Sequence, residues 1–427
     1  MDLLADLDAR GLIHDSTDRD ALAKRLADGS IGVYVGFDPS GDSLHAGNLI
    51  GQVTLRRFQL AGHKPIVLAG GATGMIGDPS GVSEERNLLD PETLAKNLEG
   101  ITPQLENLLD FSPGAHQARL VDNYTWTSQV GLLDFLRDTG KYVTVNQMVG
   151  RESVRGRMDS DAGISYTEFT YQLLQAFDFC WLYEHEQCEM QMGGSDQWGN
   201  IVTGIDLIRK RLGGTAYGLT WPLLLKADGS KFGKSAGGAV WLDPERTSPY
   251  QFRQFFVQVD DADVERQLLW FTLLPVAEIV EVMVAHREAP EQRRAQRLLA
   301  TTVSAMVHGD DSARAADAAA EVLFGGDPTS APLEALEVVA REVPTTTVDH
   351  ADLLLDIPLV DVLTLTSLAT SKGEARRLLA GGGVAVNGRK VSADAALGTA
   401  DLLHGRFTLL RKGKSTYHLI ATEMQRP

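Results

Sequence analysis

From residue 31 to about residue 225 the chain alternates between apolar runs of strand length and longer segments of helical period. "IGVYVGF" (residues 31–37) precedes "NLIGQVTLRRFQLAG" (48–62), "PIVLAGG" (65–71) comes next, and later "CEMQMGG" (188–194) precedes "DQWGNIVTGIDLIRKRLG" (196–213). Strands that alternate with helices predict a parallel sheet with the helices packed on its faces. Ligands of such sheets bind at the carboxyl ends of the strands, near a switch in strand order. A glycine-rich stretch, "KADGSKFGKSAGG" (226–238), then breaks the pattern without an apolar period of its own, and reads as an exposed, mobile loop.

Downstream the helical period takes over. "DVERQLLWFTLL", "EIVEVMVAHR" and "RRAQRLLATTVSAMVHG", all within residues 248–324, each present an apolar stripe and predict a helical bundle. "FGGDPTSAP" (324–332) closes it, the segment to about residue 350 reads as a linker, and a compact unit follows. A chain of 427 residues is too long for one ordinary core. The expected organisation is an α/β parallel-sheet domain over 1–225, the loop and its connection over 226–248, an α-helical domain over 249–325, a linker over 326–350 and a small α+β domain over 351–427.

Composition narrows the function classes. No apolar run reaches the roughly 18 residues that a membrane span needs. "MDLLADLDARG" lacks the basic start and apolar core of a signal peptide, so a cytoplasmic protein without membrane contact is expected. Cys180 and Cys188 read as packing residues rather than as a disulfide or a metal site. A net charge of −17 argues against nucleic acid as a partner until it is mapped along the chain, because residues 357–427 hold ten Lys or Arg against five Asp or Glu. The C-terminal segment is electrostatically a different object.

Two short motifs carry chemistry. In "LHAGN" (44–48), Gly47 permits close backbone approach where a helix begins and its first N–H groups carry partial positive charge, which suits a phosphate. His45 and Asn48 flank that glycine with donors, although by itself the motif equally describes a helix start. "KFGKS" (231–235) puts Lys231, Lys234 and Ser235 on a glycine-flexible loop that can swing over a triphosphate and neutralise charge on a departing pyrophosphate; alone it would read as a solvated basic turn. In "YTEFTYQLLQAFDF" (166–179), Tyr171, Gln175 and Asp178 fall at i, i+4 and i+7, on one helix face among apolar neighbours. Tyr34 and Asp78, at strand ends, offer polar groups of matching character.

Together these segments resemble the bacterial tyrosyl-tRNA synthetase family over nearly the whole chain. "LHAGN" is similar to the HIGH signature and "KFGKS" to the KMSKS signature of class I aminoacyl-tRNA synthetases, and "YVGFDPS", "GGATGMIGDPSG", "ISYTEFTYQLLQAFDF" and "GGSDQWGN" match the family's pattern in order. The resemblance implies a Rossmann-type catalytic domain, a helical anticodon-side domain and a C-terminal RNA-binding module of the ribosomal protein S-four type. It implies activation of L-tyrosine by ATP, with Mg2+ assisting, then transfer to tRNA(Tyr), by a homodimer whose interface includes residues 130–149. By the same resemblance Tyr171, Gln175 and Asp78 hold the substrate ammonium, and Asp178 and Tyr34 bond the phenolic hydroxyl. Gly194, Asp196 and Gln197 bind the adenylate ribose and the tyrosyl carbonyl region, with Gly36 and Asp38 under the nucleotide. His45, Asn48 and the loop lysines stabilise the transition state, and no side chain acts as a covalent nucleophile or is assigned to a metal.

The match has departures. The family often carries lysine after "DPSG", whereas "DPSGVSEER" has Val82 and Ser83, which leaves Arg86 as the cation of the pyrophosphate loop and shifts neutralisation onto Lys231 and Lys234. Asn48 stands in place of a histidine and keeps a donor. In "SLATSKGEARRLLAGGGVAVNGRKV", Arg376, Arg377, Arg389 and Lys390 form either a cationic face for an RNA backbone or a plain solvated surface. Two other functions stay open on sequence alone. One is a tryptophan-specific synthetase, although a Tyr34 and Asp178 pair fits a phenol better than an indole. The other is an RNA-binding paralogue without catalysis, which the retention of both signatures opposes.

Overall fold

The apolar run at residues 31–37 forms the strand around which the first sheet is ordered. In this computed structural model residues 2–422 are described, apart from 81–87, 159–162, 226–228, 230–231, 236–237, 354 and 393. Six strands, β1 (Asp15–Ser16), β2 (Gly32–Phe37), β3 (Lys64–Ala69), β4 (Arg119–Asp122), β5 (Cys188–Gly194) and β6 (Tyr217–Trp221), lie in the order β1-β6-β5-β2-β3-β4. All pair in parallel except the short edge strand β1, which runs antiparallel to β6. From β2 the chain builds outward to β3 and β4 on one side, then to β5 and β6 on the other. Strand order therefore reverses between β2 and β5, where the carboxyl ends of the strands open a crevice.

Burial explains why these runs are strands without a clean alternation. Val33, Tyr34 and Val35 of β2 are all buried, as central strands covered on both faces require. One cluster beneath the crevice joins Tyr34, Ile66, Leu68, Phe177, Phe179 and Leu182 with Cys180 and Cys188. Both cysteines are free and buried, in keeping with their reading as packing residues, and burial pushes the Cys180 thiol up to about 11.

The chain divides into two compact units, Met1–Thr247 with Phe255–Leu299, and Ser248–Gln254 with Ala300–Pro427. The helical segment expected as one domain over 249–325 is thus shared between them. In the first unit, the helix Asp261–Phe271 ends against two buried arginines. Arg10 donates to the carbonyls of Leu269 (3.2 Å) and Leu274 (2.8 Å), and Arg57, on the helix Leu49–Leu60, donates to Leu269 (3.0 Å) and Thr272. Two guanidinium groups answer the unsatisfied carbonyls and partial negative charge of that helix end. Burial lowers Arg57 to about 9. A short antiparallel pair, β7 (Lys234–Ser235) with β8 (Gly238–Ala239), also belongs to this unit.

The second unit has its own core. β9 (Thr345–Thr347), β11 (Val384–Val386), β12 (Arg389–Lys390), β14 (Phe407–Lys412) and β15 (Thr416–Ala421) form a sheet ordered β12-β11-β14-β15-β9, and β10 (Ile357–Pro358) pairs with β13 (Ala396–Leu397). Residues 326–350, expected as a linker, instead carry the helix Leu333–Glu342 and the edge strand β9, which pairs in parallel with β15. Leu336 and Val339 of that helix pack with Phe407, Leu409 and Leu419. Prolines at 332 and 344 flank an apolar stripe of barely three turns, which is why the segment reads as punctuation in the sequence. The "NG" turn behaves as its chemistry dictates: Asn387 (φ 46°) and Gly388 (φ 78°) both take the left-handed backbone of a two-residue hairpin between β11 and β12. Among the described residues no helix is long and apolar enough to cross a membrane.

Candidate active site

Where β2 and β5 end, a cleft of about 580 Å3 opens, a size suited to a small ligand or nucleotide. Tyr34, Gly36, Asp38, His45, Gly47, Asn48, Asp78, Tyr171, Gln175, Asp178, Gly194, Asp196 and Gln197 all line it. Residues named from five separate stretches of sequence therefore converge. Arg86 and Lys231 lie outside the described residues, and Lys234 and Ser235 are described only as the backbone of β7.

The buried end of the cleft is built on the helix Tyr166–Glu186, capped by Ser165, whose hydroxyl accepts the Glu168 N–H at 3.2 Å. Asp178 is buried there and accepts from Asn123 Nδ2 at 2.9 Å and from Trp126 Nε1 at 2.8 Å. The Trp126 indole is itself held by stacking on Trp181, with ring centroids 4.1 Å apart. Burial pushes the Asp178 carboxyl up to about 7, opposed by those two hydrogen bonds. Burial, reinforced by Asp178, also drives the Tyr34 hydroxyl well above its ordinary range, and that hydroxyl is buried with no hydrogen-bond partner among the described residues. A buried orphan hydroxyl near a buried carboxylate suits a ligand that donates to one and accepts from the other.

The middle of the cleft is a web of carboxylates and amides. Tyr171 donates its hydroxyl to Asp38 Oδ2 and Thr73 donates to Asp38 Oδ1, both at 2.7 Å. Gln197 donates to Asp78, and Asn200 donates to Gln175 Oε1 at 2.8 Å. Burial, then the nearby Asp78, raises Asp196. Three carboxylates in one polar wall favour a ligand ammonium and sugar hydroxyls; a triphosphate must be neutralised from elsewhere.

That second requirement falls at the mouth. His45 N–H donates to Asn48 Oδ1, and Gly47 N–H donates to His45 Nδ1, each at 3.0 Å. Because Nδ1 accepts, the neutral ring carries its proton on Nε2 and is a donor there. A Cβ at position 47 would lie 2.8 Å from the His45 ring, so only glycine leaves room for that bond. The two motifs, nearly two hundred residues apart, are joined by backbone. Ala46 N–H donates to Val240 O and Leu242 N–H to Leu44 O, both at 2.8 Å, while Val240 N–H closes the intervening turn on Gly233 O at 2.9 Å. Gly233, at φ +82°, sits so near that a Cβ would come within 3.3 Å of the Gly47 nitrogen.

Comparison with known proteins agrees with this geometry. Residues 26–325 match the family described as tRNA synthetases class I (W and Y), and residues 335–420 match the tyrosine–tRNA ligase SYY-like C-terminal domain. The tyrosine–tRNA ligase of Opitutus terrae is 51% identical over 422 residues, covering 98% of this chain and 99% of that protein. The chain belongs to the tyrosine–tRNA ligases. The ligase of Geobacillus stearothermophilus is 47% identical over 98% of this chain and 99% of its own. A C-terminally truncated mitochondrial tyrosyl-tRNA synthetase of Aspergillus nidulans shares the fold with a TM-score of 0.70 at 32% identity, over 76% of this chain and 94% of that one. Membership with tyrosine–tRNA ligases, and the matching C-terminal domain, removes the tryptophan-specific alternative.

Several groups of the site carry no signal in the sequence. Asn123 and Trp126, which fix Asp178, follow the four-residue β4, too short and only half-buried, so that no strand registers there. Thr73 and Asn200 lie inside "GGATGMIGDPSG" and "GGSDQWGN" without a residue pattern that signals their hydrogen bonds to Asp38 and Gln175. Asp38, expected under the nucleotide, is tied to Tyr171, and Tyr171, expected on the ammonium, commits its hydroxyl to Asp38. Arg376 and Arg377, on the helix Lys372–Ala380, and Arg389 and Lys390, in β12, are all exposed in the second unit.

Proposed function

We propose that the cleft activates L-tyrosine with ATP and hands the tyrosyl group to tRNA(Tyr). The observation that carries this reading is the backbone union of "LHAGN" and "KFGKS" at the mouth of a cleft whose buried end presents Asp178 and the orphan Tyr34 hydroxyl. Tyrosine enters phenol first: its hydroxyl donates to Asp178 and accepts from Tyr34, while Asp78, Gln175 and Tyr171 surround the ammonium. Phenylalanine would leave both buried groups unpaired, the asymmetry for which this enzyme family is itself the standard illustration. Gly36 and Asp38, with Gly194, Asp196 and Gln197, hold the nucleotide and the reacting carbonyl.

A tyrosine carboxylate oxygen then bonds to the α-phosphorus of ATP as the bond to the β-phosphate's bridging oxygen breaks, giving tyrosyl-adenylate and pyrophosphate. His45 and Asn48 donate to the phosphates, and Lys231, Lys234, Ser235 and Arg86 answer the charge on the leaving group. Catalysis rests on positioning and charge stabilisation, with no covalent intermediate on the protein. The terminal ribose hydroxyl of tRNA next attacks the tyrosyl carbonyl and AMP leaves. Mg2+ supplies charge neutralisation of the phosphates when bound. Asp38 and Asp78 fit a phosphate-borne ion rather than one caged by protein, because their oxygens are already taken by Thr73, Tyr171, Gln197 and the Ser80 N–H.

The exposed Arg376, Arg377, Arg389 and Lys390 supply the RNA-binding face of the C-terminal region. Homodimerisation belongs to the same reading: Leu132, Leu133 and Val145 are 73%, 78% and 63% exposed, an apolar patch in the segment 130–149 that a partner subunit would cover. A reaction that feeds translation belongs in the cytoplasm. The test is to mix the purified chain with labelled tyrosine and MgATP, then isolate it by gel filtration. Tyrosyl-adenylate should co-elute and be discharged by tRNA(Tyr); label that neither co-elutes nor transfers would refute the reading.

A further inference from the structure

Phe232, inside the "KFGKS" turn, lies at the wall of the cleft and packs its ring into an aromatic box. Its ring lies 5.2 Å from Phe271 in a stacked pose and 5.2 Å from Phe255 edge to face, with Phe256 at 6.2 Å. Phe256 and Phe271 are fully buried, and Phe232 itself is only 8% exposed. On the other side of the same turn, Gly233 lies so close to Gly47 and the His45 ring that a Cβ there would meet the Gly47 nitrogen at 3.3 Å and His45 Nδ1 at 3.7 Å. Among the described residues of the turn, Phe232 is therefore the side chain that fastens it, and Phe232 N–H to Leu224 O at 3.1 Å is the main-chain bond beside it.

The box stands on a support shared with the other motif. Phe271 is the last residue of the helix Asp261–Phe271, whose terminal carbonyls are held by Arg57, and Arg57 lies on the helix that begins directly after "LHAGN". The helix Asp261–Phe271 thus contacts both halves of the phosphate-handling machinery, one through Arg57 and the other through Phe232. We infer that Phe232 is a positioning residue for adenylate formation: its seat in the Phe255, Phe256 and Phe271 box fixes the turn against Gly47, so that the cations of the turn meet the pyrophosphate where charge develops. The inference rests on the reading that this turn carries those cations. The Phe232 ring is engaged by the box rather than by the buried Tyr34 and Asp178 end of the cleft, so its removal should act on the chemical step and leave tyrosine binding alone.

The experiment compares Phe232→Ala, Phe232→Leu, Phe271→Leu, the pair Phe232→Leu with Phe271→Leu, and Lys234→Ala in the full chain. Single-turnover adenylate formation and equilibrium tyrosine binding are measured on each. Phe232→Ala should slow adenylate formation by about 100-fold with tyrosine affinity within about twofold, and Phe232→Leu, which keeps an apolar plug, by about 10-fold. The Leu pair should lose less than the product of its single losses, since both act on one contact. If the Ala variant does not fold, Phe232→Leu and the pair carry the test. A wild-type rate in Phe232→Leu, or an equal loss of tyrosine affinity, overturns the inference. An undiminished rate in Lys234→Ala overturns the underlying reading of the turn and the inference with it; a slow Lys234→Ala beside a normal Phe232→Leu overturns the inference alone.

Discussion

The buried carboxyl of Asp178 should make the unliganded chain less stable as pH rises, and the size of the effect follows from its surroundings. Burial raises this group from 3.8 to about 7. At about 1.4 kcal/mol per unit, a shift of roughly three units costs about 4 kcal/mol once Asp178 is ionised in the folded chain. The sign follows from proton counting: between the unfolded value near 4 and the folded value near 7, the folded state holds the proton and the unfolded state does not. Stability therefore falls as pH rises through that window and levels off above it. Between pH 5.5 and pH 8 the loss should be about 2 kcal/mol.

The assay is urea unfolding at both pH values for the wild-type chain and for Asp178→Asn, which keeps the shape without the charge. Misplaced hydrogen bonds in the variant add an offset independent of pH, so only the pH dependence of the difference matters. All six tryptophans fall within the first compact unit, so their fluorescence reports the unfolding of the unit that holds Asp178. Tyrosine should reverse the trend: if its hydroxyl donates to the carboxylate, affinity should weaken about tenfold per pH unit below 7 and plateau above. Parallel wild-type and Asp178→Asn stability curves would refute the reasoning.

Asp178→Ala should weaken tyrosine binding and narrow the tyrosine-to-phenylalanine ratio in kcat/KM by about tenfold or more, and an unchanged ratio would remove Asp178 from the hydroxyl site. A chain ending near residue 350 should still form tyrosyl-adenylate, because every assigned small-molecule residue precedes that point, and should charge tRNA slowly. The same truncation strips Phe407, Leu409 and Leu419 from Leu336 and Val339, so it should aggregate more readily than a chain ending near residue 324. Normal charging by either truncated form would sink the RNA-binding role. Arg389→Ala with Lys390→Ala should weaken tRNA binding and flatten the plot of log affinity against log salt by about one to two, and an unchanged slope would show that neither touches phosphate.

Much of the catalytic sheet was legible because burial on both faces writes itself as unbroken apolar runs. β2, β3 and β5, and the helices beginning at Leu49 and Trp198, fall where the alternation predicts. β1 and β4 did not show, since two and four residues give no period to read. The face of Tyr171, Gln175 and Asp178 followed from helical spacing alone, and family likeness supplied its chemistry. What spacing cannot supply is the partner across the cleft: that Asn123 and Trp126 hold Asp178, or that Tyr171 reaches Asp38, depends on the sheet bringing residues 133 apart within 2.7 Å. Phe232 lies in a motif whose lysines carry the legible charge, while its own apolar role depends on the positions of Phe255 and Phe271. The segment 326–350 misled for a related reason, because its prolines are local signals and its helix is stabilised by strands about seventy residues further on.

The central claim is that this one cleft couples tyrosine to ATP, and amino-acid-dependent exchange of labelled pyrophosphate into ATP measures that coupling directly. With MgATP and each of the twenty amino acids in turn, the account predicts exchange with tyrosine, none above background with tryptophan, and phenylalanine disfavoured by several orders of magnitude in kcat/KM. Exchange driven equally well by phenylalanine or tryptophan, or no exchange with tyrosine by a folded chain, would contradict it.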